Sequence, residues 1–300
     1  MTPRHFLEVD DLTPTELVEV LDLAEAAEPP RILSGKGAGL LFEKPSARTR
    51  NAVEMAVVQL GGHPVSMRGP EVGIDQRESA EDLARVLSGF HAVIGARVFA
   101  HRTVVRMAGA ARVPVVNLLS DAAHPTQALA DVLTLRQRFG TLSGRRLAWV
   151  GDANNVFCSL SLAAAMTGIH VHAACPAGFA PGAEHLARVA AAGGEVVVTE
   201  RPEDAVEGAD VVSTDVWTSM GQEDEAERRR RAFAGFMVDR ALMARAGRDA
   251  VFLHCLPAHR GEEVAADVVD GSQSLVWVQS ENRLHATRGL LAFLALGDQR

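Results

Sequence analysis

Short apolar runs separated by longer amphipathic stretches recur along most of this 300-residue chain. Gly39–Phe42, His63–Ser66, Ala92–Arg97 and Pro114–Leu118 have the length and content of buried strands. Between them Arg48–Leu60, Glu78–Gly89 and Thr103–Ala111 place apolar residues at helical spacing. Thr13-Pro14-Thr15-Glu16 combines a capping hydroxyl, a proline at the first helical position and a glutamate able to reach back, which predicts a helix to about Ala27. A long helical pattern, Pro125–Phe139, stops at Gly140. A second series of strands then follows at Arg146–Val150, His170–Ala174, Glu195–Thr199, Val211–Thr214, Ala250–Leu253 and Leu275–Val278. The final predicted helix, Asn282–Leu296, is apolar along nearly one whole side.

Strand and helix in alternation imply parallel sheets covered on both faces. The chain therefore reads as α/β, with two doubly wound parallel-sheet domains and the active site expected in the cleft between them. Residues 1–139 form the first domain, with the helix 282–296 packing back on it, and residues 140–281 form the second. A length of 300 residues supports this division, since single cores rarely grow so large.

With 47% hydrophobic and 23% charged residues the composition is that of an ordinary soluble protein. The net charge of −8 implies no basic face, which argues against nucleic acid as a partner. Cys158, Cys175 and Cys255 are too few and too scattered for a disulfide framework or a zinc pattern, which fits a reducing, cytoplasmic setting. Met1–Asp11 lacks a basic start followed by an apolar core, and Leu160–Met166 is too short to span a bilayer, so neither targeting nor membrane association is expected.

Ser46-Ala47-Arg48-Thr49-Arg50 concentrates two guanidiniums and two hydroxyls where an apolar strand turns into a helix. Free N–H groups and the helix dipole make such a junction a phosphate cradle, although the same residues also serve as solvated helix starters. In open parallel sheets ligands gather beyond the carboxyl ends of the strands, and the remaining motifs fall there. Arg97 ends a strand, where a buried guanidinium needs a phosphate or an internal carboxylate. His124 precedes Pro125 at a helix start with Gln127 one turn in, suited to polarising a carbonyl or to capping the helix.

Gly151-Asp-Ala-Asn-Asn155 resembles a nucleotide-binding turn but has Ala153 and Val156 where that fingerprint needs glycine, which argues against a dinucleotide and hence against a dehydrogenase. Asn154 and Asn155 offer amides for a carboxylate or an ammonium group, or act as helix caps. Asp215-Val-Trp-Thr-Ser-Met-Gly221 leaves a strand with a carboxylate able to receive an amine, and Glu223–Arg231 after it reads as a solvated helix. Cys255 follows a strand between His254 and Leu256, as a buried structural thiol or a site residue. Arg283 and His285 near the last helix start offer one more anion contact, or close the helix on the surface.

The order of these motifs resembles the transcarbamoylases, and within them the ornithine-using branch. The resemblance rests on Phe42-Glu43-Lys44-x-Ser46-x-Arg48-Thr49-Arg50, His124-Pro-Thr-Gln127, Asp215-x-Trp-x-Ser219-Met220-Gly221, His254-Cys-Leu-Pro-Ala-His-Arg-Gly261 and Glu281-Asn282-Arg283-Leu284-His285. It implies transfer of a carbamoyl group from carbamoyl phosphate to the δ-amine of L-ornithine. It further implies that Ser46, Ala47, Arg48, Thr49, Arg97, His124, Gln127 and Arg283 bind carbamoyl phosphate, and that Asn155, Asp215, Ser219 and Met220 bind ornithine. Cys255 and Leu256 would serve both, and Arg97, His124 and Cys255 would be catalytic. A homotrimer without metal or organic cofactor is the implied assembly.

Two departures stand out: Ala47 replaces a usual threonine, and the loop Gly69–Arg77 is longer than usual, with Glu71 where glutamine is common. A carboxylate near a bound dianion would need Arg77 or an altered loop path as compensation. Other readings of the same residues are a transcarbamoylase using putrescine, lysine or N-acetylornithine, and a non-catalytic anion-binding paralogue.

Overall fold

The computed structural model describes residues 3–219 and 223–297. By internal contacts it divides into two compact units, Met1–Leu133 with Glu281–Arg300, and Thr134–Ser280.

The first unit contains α1 (Pro14–Glu25), β1 (Gly37–Phe42), α2 (Ala47–Gln59), β2 (His63–Arg68), α3 (Gly69–Val72), α4 (Ala80–Leu87), β3 (Val93–Arg97), α5 (His101–Ala110), β4 (Val115–Leu119) and the start of α6 (Pro125–Phe139). Its four parallel strands lie in the order β2-β1-β3-β4. The chain winds outward to β2 and then reverses to β3, so the switch point falls between β1 and β3. Ser46–Arg50 follows β1 and Arg97 ends β3, so topology alone brings them to one crevice. Apolar faces of α4 and α5 cover the sheet through Leu83, Leu87, Val104 and Met107, packed on Leu41, Ile94 and Ala96.

The second unit contains β5 (Arg146–Val150), α7 (Asn155–Thr167), β6 (His170–Ala174), α8 (Ala183–Ala191), β7 (Val196–Thr199), α9 (Pro202–Val206), β8 (Val211–Thr214), α10 (Ala226–Ala232), α11 (Arg240–Met243), β9 (Val251–His254) and α12 (Ala266–Val269). The five parallel strands run β7-β6-β5-β8-β9. Here the reversal lies between β5 and β8, where the Gly151–Asn155 turn and the segment from Asp215 emerge. Gly151 turns at φ +140°, a conformation side chains rarely adopt, which accounts for the glycine.

The alternation of apolar runs thus gave the two parallel sheets expected of it. One strand did not form. Leu275–Val278 is an apolar run, but residues 276–278 begin α13 (Val276–Gly297), which therefore starts earlier than the predicted Asn282. Val276 is buried while Trp277 and Val278 are exposed, a helical rather than an alternating distribution. Backbone hydrogen bonds between Phe252 and residues 273 and 275 hold the segment before this helix. Within the first unit α13 packs closely on α1: a Cβ at Gly289 would collide with the Val20 carbonyl oxygen. Buried Arg288 donates to the Ala24 carbonyl (2.6 Å) and to Gln59 Oε1 (2.8 Å), satisfying a carbonyl at the end of α1.

Candidate active site

In the first unit the polar residues converge on Thr49. Ser46 caps α2, its Oγ accepting the Thr49 N–H at 3.2 Å, and Ala47 is the first helical residue, leaving the backbone rather than a side chain to meet a ligand there. Thr49 is buried, and its hydroxyl receives Arg283 Nη2 at 2.6 Å and Arg97 Nη1 at 3.4 Å. Residues separated by 234 positions in sequence are therefore joined through one oxygen. Arg50 turns away and pairs with Glu54 at 2.7 Å, which is a structural role.

His124 is buried at the head of α6, and its pKa is held well below the ordinary imidazole value by burial first, then by the Arg283, Arg97 and Arg48 guanidiniums. It is a neutral ring near neutral pH, able to donate one hydrogen bond without bringing a charge. Gln127, one turn in, is buried and donates from Nε2 to Asp131 Oδ1 at 2.8 Å.

Glu71 is not compensated by Arg77 in the way the sequence suggested. Its carboxylate accepts the Arg68 N–H at 2.9 Å as part of the capping of α3, and Arg77 donates to its carbonyl at 3.1 Å instead.

The second unit gathers acceptors. Asp215, at the end of β8, is buried; its Oδ2 accepts Asn154 Nδ2 at 2.7 Å and its Oδ1 accepts the Cys255 thiol at 3.1 Å. Asn154 also caps α7, its Oδ1 accepting N–H groups of Val156 and Phe157. The predicted Asn155 is the half-buried first residue of that helix, and Asn154 is the residue that grips the carboxylate.

The turn after β9 is fixed from behind. His254 Nδ1 accepts the Leu256 N–H at 2.9 Å, so its proton lies on Nε2, which faces Glu263 Oε1 at 3.1 Å. Leu256 takes a left-handed φ of +58° and joins Pro257 through a cis peptide. Asp215, His254 and Cys255 offer ligand atoms within 4.8 Å of one another, but both His254 nitrogens are already committed, which leaves a poor metal set. Ser219 is half-buried, and Met220 and Gly221 lie outside the described residues.

The run Glu223–Arg231 is not simply solvated. Arg229 is buried and donates to Asp152 Oδ2 at 2.7 Å and to the Trp217 carbonyl at 2.9 Å, with its guanidinium over the Phe179 ring. Burial raises the Asp152 pKa even against this partner. Trp217 stacks on Phe233, so the segment leaving Asp215 is pinned at its third residue. A charge run on a helix gives no sign of which arginine turns inward; the only pointer was an unmatched Asp152 at the end of a strand.

Two family models together account for nearly the whole chain. The model of the aspartate/ornithine carbamoyltransferase carbamoyl-P binding domain matches residues 4–137, and that of the Asp/Orn binding domain matches 143–294. The chain belongs to the aspartate/ornithine carbamoyltransferase family. A family relative from Acidothermus cellulolyticus, named ornithine carbamoyltransferase, is 52% identical over 97% of this chain and 96% of its own length. The solved ornithine carbamoyltransferase of Pyrococcus furiosus has a TM-score of 0.94 at 42% identity, covering 99% of this chain and 98% of that one. The Thermus thermophilus structure of the same name scores 0.89 at 45% identity, covering 98% and 99%.

Proposed function

We propose that this chain is an ornithine carbamoyltransferase, transferring the carbamoyl group of carbamoyl phosphate to the δ-amine of L-ornithine to give L-citrulline and phosphate. The observation that carries the reading is the buried His124 beside the Arg283, Arg97 and Arg48 guanidiniums, two of which share the Thr49 hydroxyl. Such a cluster suits a dianionic acyl phosphate whose carbonyl oxygen gains charge during attack.

In this reading Ser46, Ala47, Arg48 and Thr49 hold the phosphate, Arg97, Thr49 and His124 stabilise the oxyanion, and Gln127 and Arg283 complete the carbamoyl phosphate site. Asp215, Asn155, Ser219 and Met220 receive ornithine, with Cys255 and Leu256 serving both ligands. The amine attacks the carbamoyl carbon, a tetrahedral species forms, phosphate leaves with the C–O bond electrons, and the attacking nitrogen gives up one proton to that phosphate. Attack needs a neutral amine, and an alkylamine of pKa about 10.4 costs about 4 to 5 kcal/mol to keep neutral at pH 7. Asp215 and Cys255 orient that nitrogen, and bringing two small substrates together supplies up to about 7 to 11 kcal/mol.

A homotrimer in the cytoplasm is part of the same proposal. In keeping with it, the three cysteines are free, and among the described residues no helix is long and apolar enough to cross a membrane. Citrulline formation tests the reading: purified protein with carbamoyl phosphate is offered ornithine, N-acetylornithine, putrescine and lysine. Ornithine is expected to give the highest kcat/KM, and a clear preference for another amine, or no ureido product with any, would overturn it.

A further inference from the structure

Gln127 sits in the first turn of α6, its N–H donating to the His124 carbonyl at 3.0 Å, and is 1% exposed. Its amide is held one way round. Nε2 donates to Asp131 Oδ1 at 2.8 Å, and turning the group over would set its oxygen against a carboxylate oxygen, two acceptors with no proton between them. Asp131 is itself 2% exposed, so water does not relieve that conflict. The other end of the amide is consequently always the carbonyl, and its Oε1 is buried with no hydrogen-bond partner among the described residues. A buried carbonyl oxygen without a donor is costly, and a ligand that brings an N–H removes the cost.

We propose that Asp131 is a positioning residue for acyl-donor specificity: by fixing Gln127 with its oxygen forward, it makes the site prefer an acyl phosphate bearing an amino group over one bearing a methyl group. The inference rests on the reading of this cluster as the carbamoyl phosphate site. Carbamoyl and acetyl phosphate share their phosphate and carbonyl and differ only in that substituent. The carbamoyl NH₂ donates to Oε1, whereas the acetyl methyl leaves that oxygen stranded, and discrimination against a missing donor is the kind a polar site performs best.

The test measures KM for carbamoyl phosphate and inhibition constants for acetyl phosphate and inorganic phosphate, in the full-length protein and in Asp131→Asn. Asparagine can accept or donate, so it permits both facings of Gln127. The ratio of the acetyl phosphate inhibition constant to the carbamoyl phosphate KM is expected to fall about three- to tenfold, the size of one neutral hydrogen bond, with inorganic phosphate inhibition unchanged. In a Gln127→Leu background, adding Asp131→Asn is expected to leave the ratio where Gln127→Leu put it. An unchanged ratio in folded Asp131→Asn would overturn the proposal, as would equal weakening of all three anions, which marks a purely structural carboxylate. Should Asp131→Asn not fold, Asp131→Ser is read by the same ratios. Failure of the unmodified protein to bind carbamoyl phosphate at all sinks the functional reading along with the inference, whereas normal binding with an unmoved ratio sinks the inference alone.

Discussion

In the first unit one polar cluster gathers guanidiniums about an imidazole and a hydroxyl; in the second, an amide and a thiol meet one buried carboxylate. Both clusters sit at a switch point of a parallel sheet, so the fold offers the same kind of place twice. What differs is the sign of the charge each place gathers. The cationic cluster also bears on its own acid–base group, because burial first, and then its positive neighbours, hold the His124 pKa well below the ordinary imidazole value. The anionic cluster leaves its carboxylate facing a thiol, with Asn154 holding the other oxygen, the arrangement the proposed reading assigns to the ornithine amine.

The sharpest way to break this contrast is to remove one cation. Arg97→Ala is expected to lower kcat/KM by about 10²–10³-fold or more, since it removes the oxyanion donor of the proposed reading and unsettles the Thr49 hydroxyl it shares with Arg283. Near-normal citrulline formation by that variant would end the assignment. On the other side, Asp215→Asn is expected to raise the ornithine KM by about 10²-fold while the carbamoyl phosphate KM stays within about twofold, the loss expected for a hydrogen-bonded charge partner. Equal changes in both KM values would erase the division of labour.

Arg229→Met probes stability rather than binding. It strands Asp152 without its cation and releases the Trp217 carbonyl, with an expected cost of about 3 kcal/mol in urea unfolding. A change under about 0.5 kcal/mol would show the pair to be ornamental.

The pH dependence should also divide. His124 has a folded pKa below the unfolded value of about 6.5. The unfolded chain therefore takes up the proton first, so this group's contribution to stability is complete above about pH 6.5 and is lost as pH falls toward the folded value. His124→Asn is expected to flatten that acid limb in thermal melts. In kinetics, kcat/KM for ornithine should rise with pH between 6 and 9 through the amine of the substrate, with no imidazole inflection from His124. The smallest effect concerns thiols. Cys175 is buried with its pKa pushed up to about 12, so alkylation at pH 8 should spare it and mark half-buried Cys255, more slowly when an ornithine analogue is present.

Much of this was legible in the sequence because it was local. Thr13 and Glu16 form the expected reciprocal cap, Pro125–Phe139 is a helix with the predicted bounds, and Ser46 caps the helix that carries Arg48 and Thr49. Leu275–Val278 misled because an apolar run of four residues fits a buried strand or the first turn of a buried helix equally well, and the helical burial of Val276 and Gln279 around exposed Trp277 and Val278 decides. Arg229 misled because its neighbours Arg228, Arg230 and Arg231 look identical in one dimension. Asp131 carries no local signal for a similar reason: an acidic residue inside a helix is ordinarily on the surface, and its burial beside Gln127 depends on packing.

The sequence by itself determined the strands, most helices, the order of the motifs and the chemical type of each candidate, since periodicity, caps and side-chain charge are properties of neighbouring residues. Only the tertiary structure decided which distant groups meet: Arg283 and Arg97 at the Thr49 hydroxyl, Asn154 and Cys255 at the two oxygens of Asp215, Arg229 at Asp152. Strand order within each sheet places those ends together, and strand order is set by which apolar faces pack, a non-local choice that no short window of residues contains.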